Sequence, residues 1–130
     1  MNGGTSEEIS LITKVGDVKR GEIWRVNLDP TIGSEIKKSR PVIVISSNLI
    51  GKLPIKIIVP LTSWDSKYED SSWHIKIEPD RKNNLTRTSS IDTLQIRSVD
   101  IQRFIAPKIG VISADLLDEI SGRVAVLIEY

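Results

Sequence analysis

The sequence predicts an α+β domain that is mainly β: a small curled sheet or partly open barrel, followed by one C-terminal helix. Short segments of apolar alternation recur between turn signals from residue 22 to residue 111. Beyond residue 111 the apolar period lengthens to the 3–4 spacing of an amphipathic helix. The 130 residues suit one domain with a core of its own.

Residues 1–16 mix Gly, Thr, Ser and Glu without a period, and are expected to form a flexible extension ahead of a folded domain at 17–130. In "EIWRVNL", Trp24, Val26 and Leu28 alternate with Arg25 and Asn27, as in a half-buried strand. "DPTIG" turns the chain. The apolar run 41–46 reads as a strand buried on both faces. In "IKIIVPL", Ile55, Ile57, Val59 and Leu61 share a face, and Pro60, which lacks an N–H, predicts an edge strand or a bulge near the strand's end. Trp73, Ile75 and Ile77 alternate with His74, Lys76 and Glu78, "PDRKNN" is a turn, and Ser89–Ile96 and Phe104–Val111 are further strands. Leu116, Leu117, Ile120, Val124, Leu127 and Ile128 mark the helix, with Ser113 as N-cap and Asp115 in its first turn. Gly122 and the β-branched Val124 and Val126 weaken that helix, so it should depend on tertiary packing.

Composition excludes several kinds of chemistry. The chain has no cysteine and one histidine, which rules out disulfides and thiolate metal sites and argues against a histidine-rich zinc site. No metal-ligand spacing, phosphate-binding P-loop or G-x-S-x-G element is present, and no cofactor is expected. Nothing resembles a secretory signal or a membrane span, so a cytoplasmic protein without membrane association is expected. The net charge of +1 argues against a protein that coats nucleic acid. Its distribution is uneven, with nine Lys/Arg against four Asp/Glu from Lys14 to Lys56, as in a positive rim facing a polyanion.

His74, the usual first suspect for acid–base work, falls on the polar face of its strand and is expected to be solvated. Arg40 follows the Gly-containing cationic loop "GSEIKKS" and precedes Pro41, which favours an extended backbone. Thr62 ends the strand after Pro60. If the two strands are neighbours, their ends place a phosphate-matching guanidinium beside a hydroxyl. The residues alone leave a blander reading open: a salt bridge from Arg40 to Glu35 capping the barrel, and a turn-forming Thr62 hydroxyl.

"VKRGEIWRVNLDPTIGSE…SRPVIVIS", then "VPLTS", then "LQIRSVD", then a helix ending "VAVLIEY" together resemble the MazF/PemK family of toxin endoribonucleases, from about Val18 to the C-terminus. The resemblance implies a small antiparallel barrel of the plasmid-toxin type, shared with CcdB, with a C-terminal helix. It also implies a homodimer that cleaves single-stranded RNA at a short sequence without metal, and that a cognate antitoxin holds inactive. On the matching motifs, Arg40 is the catalytic arginine, Thr62 its partner, and Glu35 a secondary candidate. Gly33, Ser34, Lys37, Lys38 and Ser39 form the RNA-contacting loop, and Gln95 and Arg97 are mainly structural with a secondary RNA role. Lys37-Lys38-Ser39 departs from the small or Gly-containing residues common at this place in the family.

The implied reaction is attack of a ribose 2′-OH on its own phosphate, leaving a 2′,3′-cyclic phosphate and a 5′-OH. It needs a proton acceptor, a proton donor and stabilisation of the non-bridging oxygens. A guanidinium suits the last role and is a poor base, which makes the Glu35 carboxylate the chemically reasonable alternative acceptor. Two other function classes fit the fold: a non-catalytic barrel that binds nucleic acid or protein, and a CcdB-like gyrase poison.

Overall fold

The computed structural model describes residues 18–51 and 53–130; the expected extension at 1–16 lies outside them. Seven strands form one antiparallel sheet: β1 (Glu22–Asn27), β2 (Ser39–Val44), β3 (Ile55–Ser63), β4 (His74–Ile77), β5 (Ser89–Asp92), β6 (Arg97–Asp100) and β7 (Phe104–Val111). Along the sheet the order is β4-β5-β3-β2-β1-β7, with β6 also paired to β3, and the sheet is curled but not closed. Helix α1 (Ala114–Leu127) follows, its N-terminus capped by Ser113, whose Oγ accepts from the Leu116 N–H at 3.1 Å. The α+β class, the antiparallel open sheet and the terminal helix agree with expectation.

The curled sheet divides the core in two. Trp24, Val26, Leu28, Val42, Val44, Ile58 and Phe104 pack on one face, where the Trp24 and Phe104 rings meet edge to face at 6.0 Å. Ile23, Ile43, Val59, Leu61, Ile75 and Ile91 pack on the other, against Ile120 and Leu116 of α1. Val42, Ile43 and Val44 therefore alternate between two buried layers, which is why the run carries no polar residue. Ile120 is the one buried residue of α1. The helix is held by that anchor and its neighbours, as its weak propensity required.

Two expectations are corrected. β3 is neither an edge strand nor visibly bulged at Pro60. It is the most connected strand of the sheet, paired to β2 on one side and to β6 and then β5 on the other. Pro60 sits where the partner changes, after β6 ends its pairing at Ile58 and before β5 begins at Leu61, so part of the ladder there needs no N–H. The segment 89–96 is likewise not one strand. β5 stops at Asp92, whose carboxylate accepts from the Leu94 N–H at 3.2 Å and starts a single turn over Thr93–Gln95 before β6.

Gly122, within α1, has nothing within 4 Å of where a Cβ would stand. Gly122→Ala is expected to stabilise the protein by about 0.5–1 kcal/mol, through the smaller entropy loss of an alanine in a helix. A rise in the urea midpoint with an unchanged slope is the corresponding observation.

Candidate active site

The β2–β3 ladder pairs Val42 with Pro60, Ile43 with Val59 and Val44 with Ile58. Continued by two residues, the same register sets Arg40 opposite Thr62. Arg40 lies across from Val26 of β1, and Thr62 is two residues beyond Pro60, so both side chains belong to one face of the sheet. The strand beneath is rigid, with Val42, Ile43 and Val44 at most 1% exposed. Arg40 itself is half-buried and donates from Nε to the Lys37 carbonyl at 3.2 Å. Among the described residues no carboxylate pairs with its guanidinium. The blander reading, a cap to Glu35, is not what forms: Glu35 Oε1 accepts from the Ile32 N–H of its own loop at 2.7 Å.

Arg40 and Thr62 line a cleft of about 120 Å3 where β2 and β3 run past the end of their paired ladder. Arg25, Ser63, Leu85, Thr86 and Arg87 line it as well. Arg25 and Arg87 were missed in the sequence. Arg25 carried only the signal of a polar residue in an alternating strand, and its place opposite Pro41 emerges from the β1–β2 register. Arg87 reaches the cleft on a turn from which its guanidinium donates to Ser63 Oγ at 3.4 Å. Arg25, Arg40 and Arg87 line the cleft together, Arg25 alternating to the opposite face of the sheet from Arg40, and with the exposed Lys37 and Lys38 they make this end of the sheet, the mouth of the cleft, strongly positive.

The loop from Leu28 to Lys38 borders this mouth. Asp29 Oδ1 accepts from the Lys38 N–H at 3.1 Å, and the Leu28 N–H donates to the Lys38 carbonyl at 2.9 Å, closing the loop at its base. Lys38 sits at φ +70° and Gly33 at φ +57°, the left-handed region that glycine enters freely. Gln95 clamps the loop from outside: its Oε1 accepts from the Ile36 N–H at 2.9 Å and its Nε2 donates to the Ser34 carbonyl at 2.9 Å. Arg97 donates to the Leu28 carbonyl at 3.1 Å. Both residues thus hold the loop that borders the mouth. A second hollow of about 350 Å3, lined by Ser34, Glu35, Ile36, Pro60, Gln95 and Arg97, adjoins the Arg40–Thr62 row through Pro60. Glu35 lines this second hollow, and among the described residues no hydrogen bond or ion pair joins it to Arg40 or Thr62.

Gln95→Ala removes both hydrogen bonds to the loop. The expected result is a loss of about 1–2 kcal/mol in stability. Because the loop carries Glu35 and the lysines, an RNA-directed activity should fall by roughly 10-fold, while Arg40 keeps its own strand. Urea unfolding and cleavage kinetics on the same preparation check the two parts separately.

His74 is corrected too. Its side chain is 9% exposed rather than solvated, with Nε2 3.5 Å from Asp92 Oδ2, Nδ1 2.8 Å from Ser71 Oγ, and its ring stacked on Tyr68 at 3.9 Å. β4 is an edge strand, and the segment 64–73 folds back over its polar face. Alternation alone does not reveal such a cover. Among the described residues no group of three or more His, Asp or Glu side chains is placed to hold a metal ion, and no helix is long and apolar enough to cross a membrane.

Comparison with known proteins accords with this fold. Residues 19–128 match the family model described as PemK-like, MazF-like toxin of type II toxin-antitoxin system. Endoribonuclease PemK of Escherichia coli is 26% identical over 91% of this chain and 87% of its own length. Endoribonuclease EndoA of Bacillus subtilis is 32% identical over 79% of this chain and 87% of its own. The crystal structure of MazF from Deinococcus radiodurans superposes with a TM-score of 0.70 at 22% identity, covering 87% of this chain and 97% of that one. A mycobacterial endoribonuclease solved in complex with its cognate antitoxin has the same fold, with a TM-score of 0.66 at 15% identity over 86% of this chain and 95% of that one. With the family model matching residues 19–128 and a relative 32% identical over most of both chains, this chain belongs to the PemK-like, MazF-like toxins of type II toxin–antitoxin systems.

Proposed function

We propose that this protein is a toxin endoribonuclease that cleaves single-stranded RNA and is held inactive by a cognate antitoxin. The observation that carries the reading is the register that sets Arg40 opposite Thr62 on one face, beside a positive mouth, in a chain of this family. In the proposed step the 2′-oxygen attacks the adjacent phosphorus and gives its proton to a base. The bond from phosphorus to the 5′-oxygen breaks, and that oxygen takes up a proton. Arg40 holds the non-bridging oxygens as their charge grows, and Thr62 donates a hydrogen bond to the same phosphate. Glu35, on the loop that flanks the row, is the candidate proton acceptor.

We place the working form as a homodimer in the cytoplasm. Leu49, Leu53 and Ile55, on and just before β3, are 95%, 62% and 48% exposed, which favours a second copy of the chain as cover. The test is to incubate the purified protein with a long RNA in the presence of a chelator and map the new 5′ ends. Cuts at one short recurrent sequence, with 5′-OH and 2′,3′-cyclic phosphate termini, are expected. Binding without cutting would leave a non-catalytic barrel, and arrest of gyrase would leave the CcdB-like activity.

A further inference from the structure

The pairing of β3, β5 and β4 extends the Arg40–Thr62 row across the sheet. Thr62 pairs with Ser90, and Ser90 pairs with Lys76, so Arg40, Thr62, Ser90 and Lys76 lie on one line and one face. With strands about 4.8 Å apart, Lys76 stands roughly 10 Å from Thr62. By the same alternation Trp64, two residues past Thr62, joins this face. The Lys76 Nζ lies 5.2 Å from the centre of the Trp64 ring.

Trp64 is braced from behind. Tyr68 meets it edge to face at 6.0 Å, His74 stacks on Tyr68 at 3.9 Å with the rings 9° from parallel, and Ser71 and Asp92 hold the two nitrogens of His74. Beside these rings lies a hollow of about 340 Å3, lined also by Glu69, Ile75, Glu119 and Arg123. Braced aromatic rings, flanking ammonium groups and hydrogen-bonding side chains at one end are the parts of a base-stacking site. The otherwise unused His74 cluster then has a task, to keep Tyr68 and Trp64 in place. Continuity with the Arg40–Thr62 row through Ser90 and Lys76 is what favours an RNA nucleotide over a protein segment as the occupant.

We infer that Trp64, braced by Tyr68 and His74 and neighboured by Lys76, forms a subsite for the nucleobase of an RNA nucleotide flanking the scissile phosphate held at Arg40 and Thr62. Lys76 meets the phosphate of that nucleotide while its base stacks on the indole. Trp64 thereby sets which RNA is gripped and where it lies, and leaves the chemical step to Arg40. This rests on the endoribonuclease reading above.

The experiment is an abasic scan of a short RNA containing one mapped cut site, run against wild type, Trp64→Ala and Trp64→Phe. Single-turnover rates are measured over a range of protein concentrations, and binding by fluorescence anisotropy with a 2′-deoxy residue at the cut. For wild type, one abasic position near the cut should weaken half-saturation by about 10-fold, the scale of one lost stack. Trp64→Ala should weaken the intact RNA by a similar factor, keep the rate at saturation within about twofold, and lose nothing more at that abasic position. Trp64→Phe should recover most of the loss. Cleavage by wild type in which no abasic position couples to Trp64 would overturn the subsite alone. So would a Trp64→Ala protein that grips RNA normally but has lost its antitoxin. A wild-type protein that neither cuts nor binds RNA would overturn the endoribonuclease reading, and the subsite with it.

Discussion

Arg40→Lys is expected to fold like wild type and still bind RNA, yet to cleave it at least about 100-fold more slowly, the scale seen when one transition-state donor is lost. The fold should survive because, among the described residues, the Arg40 side chain makes one hydrogen bond, from Nε to the Lys37 carbonyl, and no ion pair. RNA binding should survive because Arg25, Arg87, Lys37 and Lys38 keep the mouth positive. What is lost is the planar fork. A guanidinium tethered through Nε still presents two further nitrogens to two phosphate oxygens, whereas an ammonium offers a compact point charge on a flexible stem. Arg40→Ala should be slower again, and Thr62→Ala should also be severely impaired, because the β2–β3 register continued by two residues sets the two opposite each other. Single-turnover cleavage of one mapped site, with circular dichroism to confirm folding, makes the comparison. Near-wild-type cleavage by a well-folded Arg40→Lys would return Arg40 to the part of a charged strand cap.

Arg40 and Thr62 stood out in the sequence because each lies near a proline at a strand end, but only the resemblance to the family's motifs raised them above a salt bridge and a turn hydroxyl. Sequence alone could place them together only if β2 and β3 were neighbours, and the ladder supplies that condition. The helix, its Ser113 cap and most strands were legible from local pattern. Three things were not. Pro60 looked like an edge marker because a missing N–H is visible in sequence, while a change of partner from β6 to β5 is not. His74 looked solvated because alternation reports which face a residue takes, not whether a loop such as 64–73 later covers that face. Arg25 and Arg87 reach the mouth through long-range register and a turn, and neither carries a local signature.

Gly110→Ala should cost about 2–4 kcal/mol, among the largest losses available to a single methyl group in this protein. The glycine pairs with Ile23 in the β1–β7 ladder and has no unusual φ, so conformational freedom is not the reason for it. Space is the reason. A Cβ at 110 would stand 2.4 Å from the Asn83 carbonyl oxygen, 2.5 Å from the Asn83 carbonyl carbon and 2.5 Å from the Lys82 carbonyl oxygen, all of them backbone. The turn that carries those atoms cannot yield cheaply. Asp80 Oδ1 accepts from the N–H groups of Lys82 and Asn83 at 2.8 and 2.7 Å. The buried Asn83 side chain ties together Asp80, Leu85 and Glu78. The turn is also bonded to β7 on either side of the glycine: the Val111 N–H donates to the Lys82 carbonyl at 2.9 Å, and Asn84 Nδ2 to the Ile109 carbonyl at 2.9 Å. A methyl group must therefore lift the turn as a unit and break both links. The chain leaving the turn supplies Leu85, Thr86 and Arg87 to the cleft, so cleavage should fall along with stability even where the variant remains folded. The urea midpoint should drop with little change in slope, while Gly122→Ala moves it the other way. An unchanged midpoint for Gly110→Ala would mean that the turn is not seated on β7 in solution, and that Arg87 is not held at the mouth by this contact.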